Sequence, residues 1–251
     1  MIEMSHPNNW RGLQDNVCLI LNECGFQAES PKKLSIVRGQ VEVDVYAVSK
    51  DSCPKISYIC ECKHWNKRVP QEVVHSVRTV VNDAGANIGL IISLKGFQSG
   101  AIKAAENTNI RLLSWDNFQE TFLERWYRTY FIPKLYEISG PLVEYTEPIN
   151  SRIQREAAQL NREKFDQFLS LRKKYKPLAF FAISLYSPTL YGKDVTPMPL
   201  SQLDQLKKLG ENFFFPDEVL NATAYRQLLI ALCDAIETAT KEFNKVFGDI
   251  T

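Results

Sequence analysis

The chain has 251 residues, 45% of them hydrophobic and 24% charged, which is typical of a globular protein with a substantial core. With 30 lysine and arginine residues against 29 acidic ones, the net charge of +1 does not by itself indicate a polyanion-binding protein. No apolar run is long enough to cross a bilayer, and the N-terminal segment lacks the basic-then-apolar order of a signal peptide. We therefore expect a cytoplasmic protein with no membrane partner, whose six cysteines stay reduced.

The first half of the sequence alternates between helical and extended patterns. In chain order these patterns predict a helix at 10–24, strands at 34–38, 41–48 and 56–63, a helix at 70–84, a strand at 88–94, a helix at 97–107, a strand at 110–114 and a further helix. Gly39 and Gln40 are expected to form a hairpin turn, and Asp116 is placed to cap the last helix. This order predicts a mixed α/β sandwich whose later strands are parallel.

The pattern changes at residues 133–149, where prolines and Gly140 interrupt a stretch without helical period. We predict a linker there, between a first domain at 1–132 and a mostly helical second domain at 150–251. The second domain would serve recognition, dimerisation or sensing. Its predicted elements are a long helix ending near Tyr175, an apolar segment at 178–186 that suits a strand or a buried helix, a short helix at 200–209 and a final long helix from Pro216.

Charged residues occur inside two of the predicted strands, where acidic residues are normally depleted. Glu42 and Asp44 share one face of the second strand, and Glu61 and Lys63 share one face of the third, about 6.6 Å apart along it. Pairing of these strands would bring the charges together, which is costly unless they pair or bind a metal. Asp44 and Glu61, joined by Glu42 and the backbone carbonyl of Cys62, therefore predict an oxygen-ligand site for Mg²⁺ or Mn²⁺.

Such a site has a clear chemical use. The metal would bind a phosphodiester oxygen, lower the pKa of an attacking water and stabilise the leaving oxygen. Lys63 would orient or activate that water and offset negative charge in the transition state. The simpler alternative is an ion-pair ladder on a sheet face. Cys60 and Cys62 lie on the opposite strand face without the spacing of a zinc hook, so we interpret them as buried apolar residues.

The stretch from Val41 to Lys63 resembles the D…(D/E)XK signature of the restriction-endonuclease-like superfamily, with Asp44 as the first acid and Glu61-Cys62-Lys63 as the second part. The surrounding order of elements, over about residues 10–120, is similar to Mrr-type restriction endonuclease domains. The resemblance implies a PD-(D/E)XK fold with a mixed-sheet α/β/α core, followed here by the helical region. It also implies a Mg²⁺-dependent endonuclease that acts on phosphodiester bonds, with double-stranded DNA as the expected substrate, in restriction or antiviral defence.

The resemblance further implies residues beyond the signature. Members of the family commonly carry a glutamate in the first helix, where this chain has Gln14 next to Asp15. Gln14 can bind a metal through its carbonyl but brings no charge, so either Asp15 or Glu42 takes the place of the glutamate, or the metal site is weaker. Members also often use a glutamate or glutamine from the helix after the lysine, which makes Gln71 a catalytic candidate, with Glu72 as its alternative. Contacts to nucleic acid are expected from His64, Lys67, Arg68, His75 and Arg78. For His64 and its neighbour Trp65, packing against the next helix is an equal alternative.

Three functions remain open from the sequence. The first is the endonuclease, for which cutting both strands with one site per chain would favour a homodimer. The second is a catalytically inactive nuclease fold that binds nucleic acid or regulates another protein. The third is a resolvase-like or repair nuclease, which would differ in the shape of its substrate.

Overall fold

The computed structural model describes residues 1–50, 53–190, 195–208 and 213–248, with only the backbone described at 188–190. The chain forms two compact units. The first unit consists of Met1 and Glu3–Thr129, and the second of Ile2 and Tyr130–Thr251. Within the described ranges, no helix is both long and apolar enough to span a membrane.

The first unit combines a five-stranded sheet with a separate two-stranded hairpin. Its elements are α1 (Trp10–Glu23), β1 (Phe26–Glu29), β2 (Lys32–Ile36), β3 (Gly39–Val43), β4 (Val45–Ser49), β5 (Ser57–Lys63), α2 (Gln71–Asp83), β6 (Ile88–Ser93), α3 (Ser99–Ala105), β7 (Ile110–Ser114) and α4 (Trp115–Trp126). The large sheet has the order β1-β4-β5-β6-β7, antiparallel as far as β5 and parallel from β5 to β7. This mixed sheet confirms the predicted restriction-endonuclease-like α/β class.

Helices cover both faces of the large sheet. Because successive side chains of a strand point to opposite faces, neighbouring residues of β5 pack against different helices. On one face, Ile59 of β5 belongs to the same buried apolar cluster as Val77 of α2. On the other face, Tyr58 of β5 meets Phe122 of α4 edge to face, with 6.1 Å between the ring centres. In β6, the residues from 89 to 93 are all buried, which confirms the predicted strand covered on both sides.

The ends of the helices follow from local residues. Asn9 caps α1 by accepting a hydrogen bond from the Gly12 N–H at 2.8 Å, and Gly25 follows the helix with φ +81°, a conformation that favours glycine. The predicted cap of α4 was wrong. The side chain of Ser114 accepts the hydrogen bond from Asn117 and caps the helix, so Asp116 lies in its first turn.

The predicted strand at 41–48 is two strands in different sheets. β3 pairs with β2 in the hairpin, β4 pairs with β1 and β5, and Asp44 lies in the bend between them. The predicted turn at Gly39-Gln40 was also wrong, since Ile36 pairs with Gly39 and the turn residues are 37 and 38. The alternation of residues continues through Asp44 without a turn residue, so only strand pairing reveals the change of sheet. β1 was not predicted.

The second unit is mostly helical, as predicted for the C-terminal region. A π-helical segment (Tyr127–Phe131) leads into α5 (Ile132–Thr146), followed by α6 (Ser151–Ala157), α7 (Arg162–Leu190), a 3₁₀ turn (Leu200–Gln202), α8 (Leu203–Lys208), α9 (Asp217–Leu220) and α10 (Tyr225–Phe247). The segment 178–186 is therefore helical, and the single helix predicted to end near Tyr175 is instead α6 and part of α7.

Most of the predicted linker, 133–149, lies in α5, so the expectation of a non-helical stretch was wrong. Pro133 occupies the first turn of this helix, directly after the π-helical segment. Pro141 lies inside the helix, beside the fully buried Leu142. Burial of apolar side chains such as Leu142 thus outweighs the local proline signal.

Candidate active site

Asp44 lies where the chain passes from the hairpin into the large sheet. Its Oδ2 accepts a hydrogen bond from the backbone N–H of Cys62 at 2.7 Å, and its Oδ1 accepts one from Nε2 of Gln14 at 2.5 Å. β4 begins at Val45, which lies opposite Cys60 of β5, so β4 does not extend to Cys62. The Asp44 carboxylate accepts the hydrogen bond of the Cys62 N–H in place of a β4 backbone carbonyl. The N–H and C=O of a strand residue point to the same side, so the Cys62 carbonyl faces the side of Asp44.

Glu61 and Lys63 lie on the face of β5 that carries Ile59, as the alternation predicted. Their side chains are 26% and 17% exposed, and Nζ of Lys63 donates to Oε1 of Glu61. Burial raises the pKa of Glu61 and the nearby Asp44 charge raises it further, while Lys63 lowers it. An added cation would stabilise the ionised form of such a carboxyl group.

Glu61 and Lys63 line a cleft of about 270 Å³ between β3 and α2. Its other lining residues are Val41, Glu42, Val43, Ile59, Val73, Ser76, Val77 and Val80. Asp44 is not among them, and its carboxylate is hydrogen-bonded to Cys62 and Gln14. The predicted pair of acids is therefore adjacent, but only Glu61 faces the cleft.

Glu42 lines the cleft but does not complete a metal cluster. Among the residues that the structure describes, no three His, Cys, Asp or Glu side chains lie close enough to hold one metal ion. The reason is the bend at Asp44, because Glu42 precedes it in β3 and pairs with Lys33 of the hairpin, not with the large sheet. If Asp44 and Glu61 bind a metal ion, a third protein ligand for that ion has to come from a residue of another type.

Gln14 and Asp15 of α1 have different environments. Asp15 is exposed, whereas Gln14 is only 3% exposed and its Nε2 donates to Asp44. The Oε1 of Gln14 is buried and has no hydrogen-bond partner, which is costly for an amide oxygen. Together with two carboxylates and the Cys62 carbonyl, this oxygen makes a donor set of the kind that Mg²⁺ and Mn²⁺ prefer. The residues present therefore fit a hard divalent cation.

The residues of α2 differ from the expectation in one respect. Gln71 is exposed and lies against α3, its amide oxygen 3.1 Å from the position of a Cβ added at Gly100, and it does not line the cleft. The polar residue of α2 that does so is Ser76, which was not predicted. The helical spacing of Val73, Ser76, Val77 and Val80 would have identified it. A catalytic role for Gln71 stays a prediction.

The expected nucleic-acid contacts fall into two groups. His64 donates from Nε2 to the carbonyl of Pro7 at 3.0 Å and so packs against the N-terminal segment, whereas Lys67 and Arg68 are exposed. On α2, the side chains of His75 and Arg78 form a hydrogen bond of 3.2 Å with each other. Lys67 and Arg68 are therefore the cations of this set best placed to meet a phosphate.

The two strand cysteines have the environment that was predicted. Cys60 and Cys62 are buried, and burial raises the pKa of both thiols. All six cysteines of the chain are free thiols. These two side chains therefore contribute to packing, and only the backbone of Cys62 reaches the site.

Comparison with known proteins finds a similarity that lies in the first unit. Residues 6–122 match the family model Mrr_cat, described as a restriction endonuclease, over slightly less than half of the chain. No curated protein matches the chain. A crystal structure of a protein of unknown function, AF1548, is similar with 17% identity over 74% of this chain and 100% of that one. The TM-score of the two structures is 0.40.

Proposed function

We infer, from the premise that residues 6–122 form a restriction endonuclease domain of the Mrr type, that this chain is a metal-dependent endonuclease acting on double-stranded DNA. One observation carries the inference. Asp44 accepts a hydrogen bond from the N–H of Cys62, the residue between the paired Glu61 and Lys63, and Gln14 contributes a buried oxygen that lacks a hydrogen-bond donor. Acids and an amide oxygen that can hold a divalent cation, with an amine beside them, are groups that metal-dependent phosphodiester hydrolysis can use.

In this proposal Asp44, Glu61, the Cys62 carbonyl and the Gln14 amide oxygen would hold Mg²⁺ or Mn²⁺, which would supply Lewis acidity toward a phosphodiester oxygen. Gln14 and the Cys62 N–H hold the Asp44 carboxylate in one orientation through two hydrogen bonds. Lys63 presents its ammonium group at the cleft, where it orients a water and offsets the charge that develops on phosphate oxygens. The exposed Lys67 and Arg68 contact the phosphate backbone.

A second function is favoured by a specific observation. Both oxygens of Asp44 already accept hydrogen bonds, and two acids meet where a metal site often has three. A nuclease scaffold that binds nucleic acid or regulates a partner without cutting would keep this arrangement. The two functions differ in their response to a divalent cation. If the metal site forms, binding of the cation raises the thermal stability of the protein by mass action, and without a site the cation has no such effect.

The decisive experiment incubates plasmid, linear duplex, branched DNA and RNA with Mg²⁺ or Mn²⁺. Wild type is compared with Asp44→Asn and with Asp15→Asn, the exposed acid of α1, as the control. We expect wild type and the control to cut duplex DNA and Asp44→Asn to lose at least about 100-fold in rate. Persistent cutting by Asp44→Asn would assign the activity to another site. No cutting by wild type, and no stabilisation by either metal, would favour the non-cleaving scaffold.

The substrate panel also separates the nuclease alternatives. Preference for a branched junction would indicate a resolvase-like or repair nuclease, and preference for plain or modified duplex would fit restriction or antiviral defence. In either setting, one active site per chain makes a homodimer the economical way to cut both strands. Recognition, dimerisation or sensing is proposed for the helical second unit.

A further inference from the structure

The loop that follows β5 is anchored at both ends. At its start, His64 donates to the carbonyl of Pro7 at 3.0 Å. At its end, Val69 is fully buried, its N–H donates to the carbonyl of Gly96 at 3.0 Å, and its carbonyl accepts from the N–H of Gln98 at 3.0 Å. The residues between these anchors are therefore held next to β5, where they can position a side chain of that strand.

Inside this loop, the ring of Trp65 lies close to two lysine ammonium groups. Nζ of Lys63 is 4.9 Å and Nζ of Lys67 is 5.8 Å from the centre of the ring. Both distances are within the ~6 Å at which the π face of an indole attracts a cation. Lys63 is the more shielded of the two, with 17% of its side chain exposed, so water weakens this contact less.

We propose that Trp65 is a positioning residue for Lys63, a role that rests on the proposed nuclease function. Nζ of Lys63 donates to the Oε1 of Glu61 and lies against the ring of Trp65. Glu61 is also a proposed metal ligand, and a carboxylate that shares its charge with a divalent cation attracts an ammonium group less strongly. The Trp65 ring is then the contact that keeps the flexible lysine side chain at the cleft.

The test compares two substitutions of Trp65 by steady-state cleavage of duplex DNA. Trp65→Leu removes the π face and keeps an apolar side chain, and we expect it to lower kcat about tenfold with KM changed less than about twofold. Trp65→Phe keeps a smaller π face and should recover most of the lost kcat. The matched control is Trp10→Leu on α1, since Trp10 is 57% exposed and has the Arg11 guanidinium carbon 5.3 Å from its ring centre. That variant should cut like wild type.

A second readout does not depend on cleavage. In protein with ¹³C-labelled lysine, the ε-methylene signal of Lys63, assigned with Lys63→Arg, should be shifted upfield by the ring current of Trp65. In wild type we expect this upfield shift both in the presence of a metal chelator and with Mg²⁺. The shift should be smaller in Trp65→Phe and absent in Trp65→Leu. Equal kcat in wild type and Trp65→Leu, or no upfield shift in wild type, overturns the proposal. An upfield shift in a wild type that cuts no substrate supports the positioning of Lys63 and overturns only the nuclease function.

Discussion

The two basic clusters of the sequence, Lys63–Arg68 and Arg172–Lys176, have different environments in the fold. The second cluster lies on α7, where successive side chains point about 100° apart around the helix axis. Its members therefore find separate local partners. Arg172 donates to the carbonyl of Glu147, Lys174 pairs with Glu242 at 3.3 Å, and Nζ of Lys176 lies 5.5 Å from the ring centre of Phe180.

The first cluster begins on a strand, and the twofold alternation of β5 places Lys63 and Glu61 on the same face, with Asp44 nearby. In each cluster one lysine thus pairs with a glutamate outside the cluster, but the two pairs differ in energy. For Lys174, burial lowers the pKa, while hydrogen bonds to Tyr175 and Glu242 raise it more, so its charge is favoured in the folded state. For Glu61, burial and a second acid disfavour the charge. The same residue types therefore stabilise the fold on α7 and cost stability at the candidate site.

The largest expected difference between the two pairs is in activity. Lys63→Met should lower the rate of DNA cleavage at least about 100-fold, because an ammonium group next to the reacting phosphate is lost. Lys174→Met removes a lysine from the other pair and should leave the rate at the wild-type value. Initial rates on plasmid with Mg²⁺ measure both. Equal losses in the two variants would mean that the clusters do not differ in function.

A smaller effect is expected for DNA binding at the exposed part of each cluster. Removing Lys67 and Arg68 together should reduce the slope of log affinity against log salt by about two, one for each lost phosphate contact. The matched pair on α7, Lys173 and Lys176, is also exposed, and its removal should not change the slope. Fluorescence anisotropy with a labelled duplex in chelator gives the slopes. A reduced slope in the α7 variant would extend the binding surface to the second unit.

The smallest effect concerns stability. Burial and Asp44 raise the pKa of Glu61 above its unfolded value, so its unfavourable contribution develops as pH rises from the unfolded pKa through the folded one. In chelator, Glu61→Gln should therefore raise Tm at neutral pH, by about 2–4 °C for each kcal/mol recovered, and this gain should disappear in acid. Glu242→Gln, which loses the pair with Lys174, should leave Tm unchanged or slightly lower. Unfolding scans over a pH series distinguish the two. A lower Tm for Glu61→Gln at neutral pH would mean that its pairing with Lys63 outweighs burial.

Local patterns in the sequence determined much of the first unit. The alternation of β5 placed Glu61 and Lys63 on one face, the apolar run of β6 predicted a strand buried on both sides, and Gly25 predicted the end of α1. These features depend on residues only a few positions apart, which is the distance over which side-chain directions repeat in strands and helices. The same alternation predicted that Glu61 and Lys63 share a face, whereas Asp44 was joined to them by the expected pairing of its strand with β5 and by the D…(D/E)XK signature.

Only the tertiary structure decided which residues lie next to one another at the candidate site. The hydrogen bond from Gln14 to Asp44 joins residues 30 positions apart, and it distinguishes Gln14 from the exposed Asp15. The bend at Asp44, which separates Glu42 from the large sheet, depends on which strands pair. The contact of Trp65 with Lys63 requires a loop anchored by Pro7 and Gly96. Each of these outcomes is set by packing between segments distant in the chain, and no local period encodes such packing.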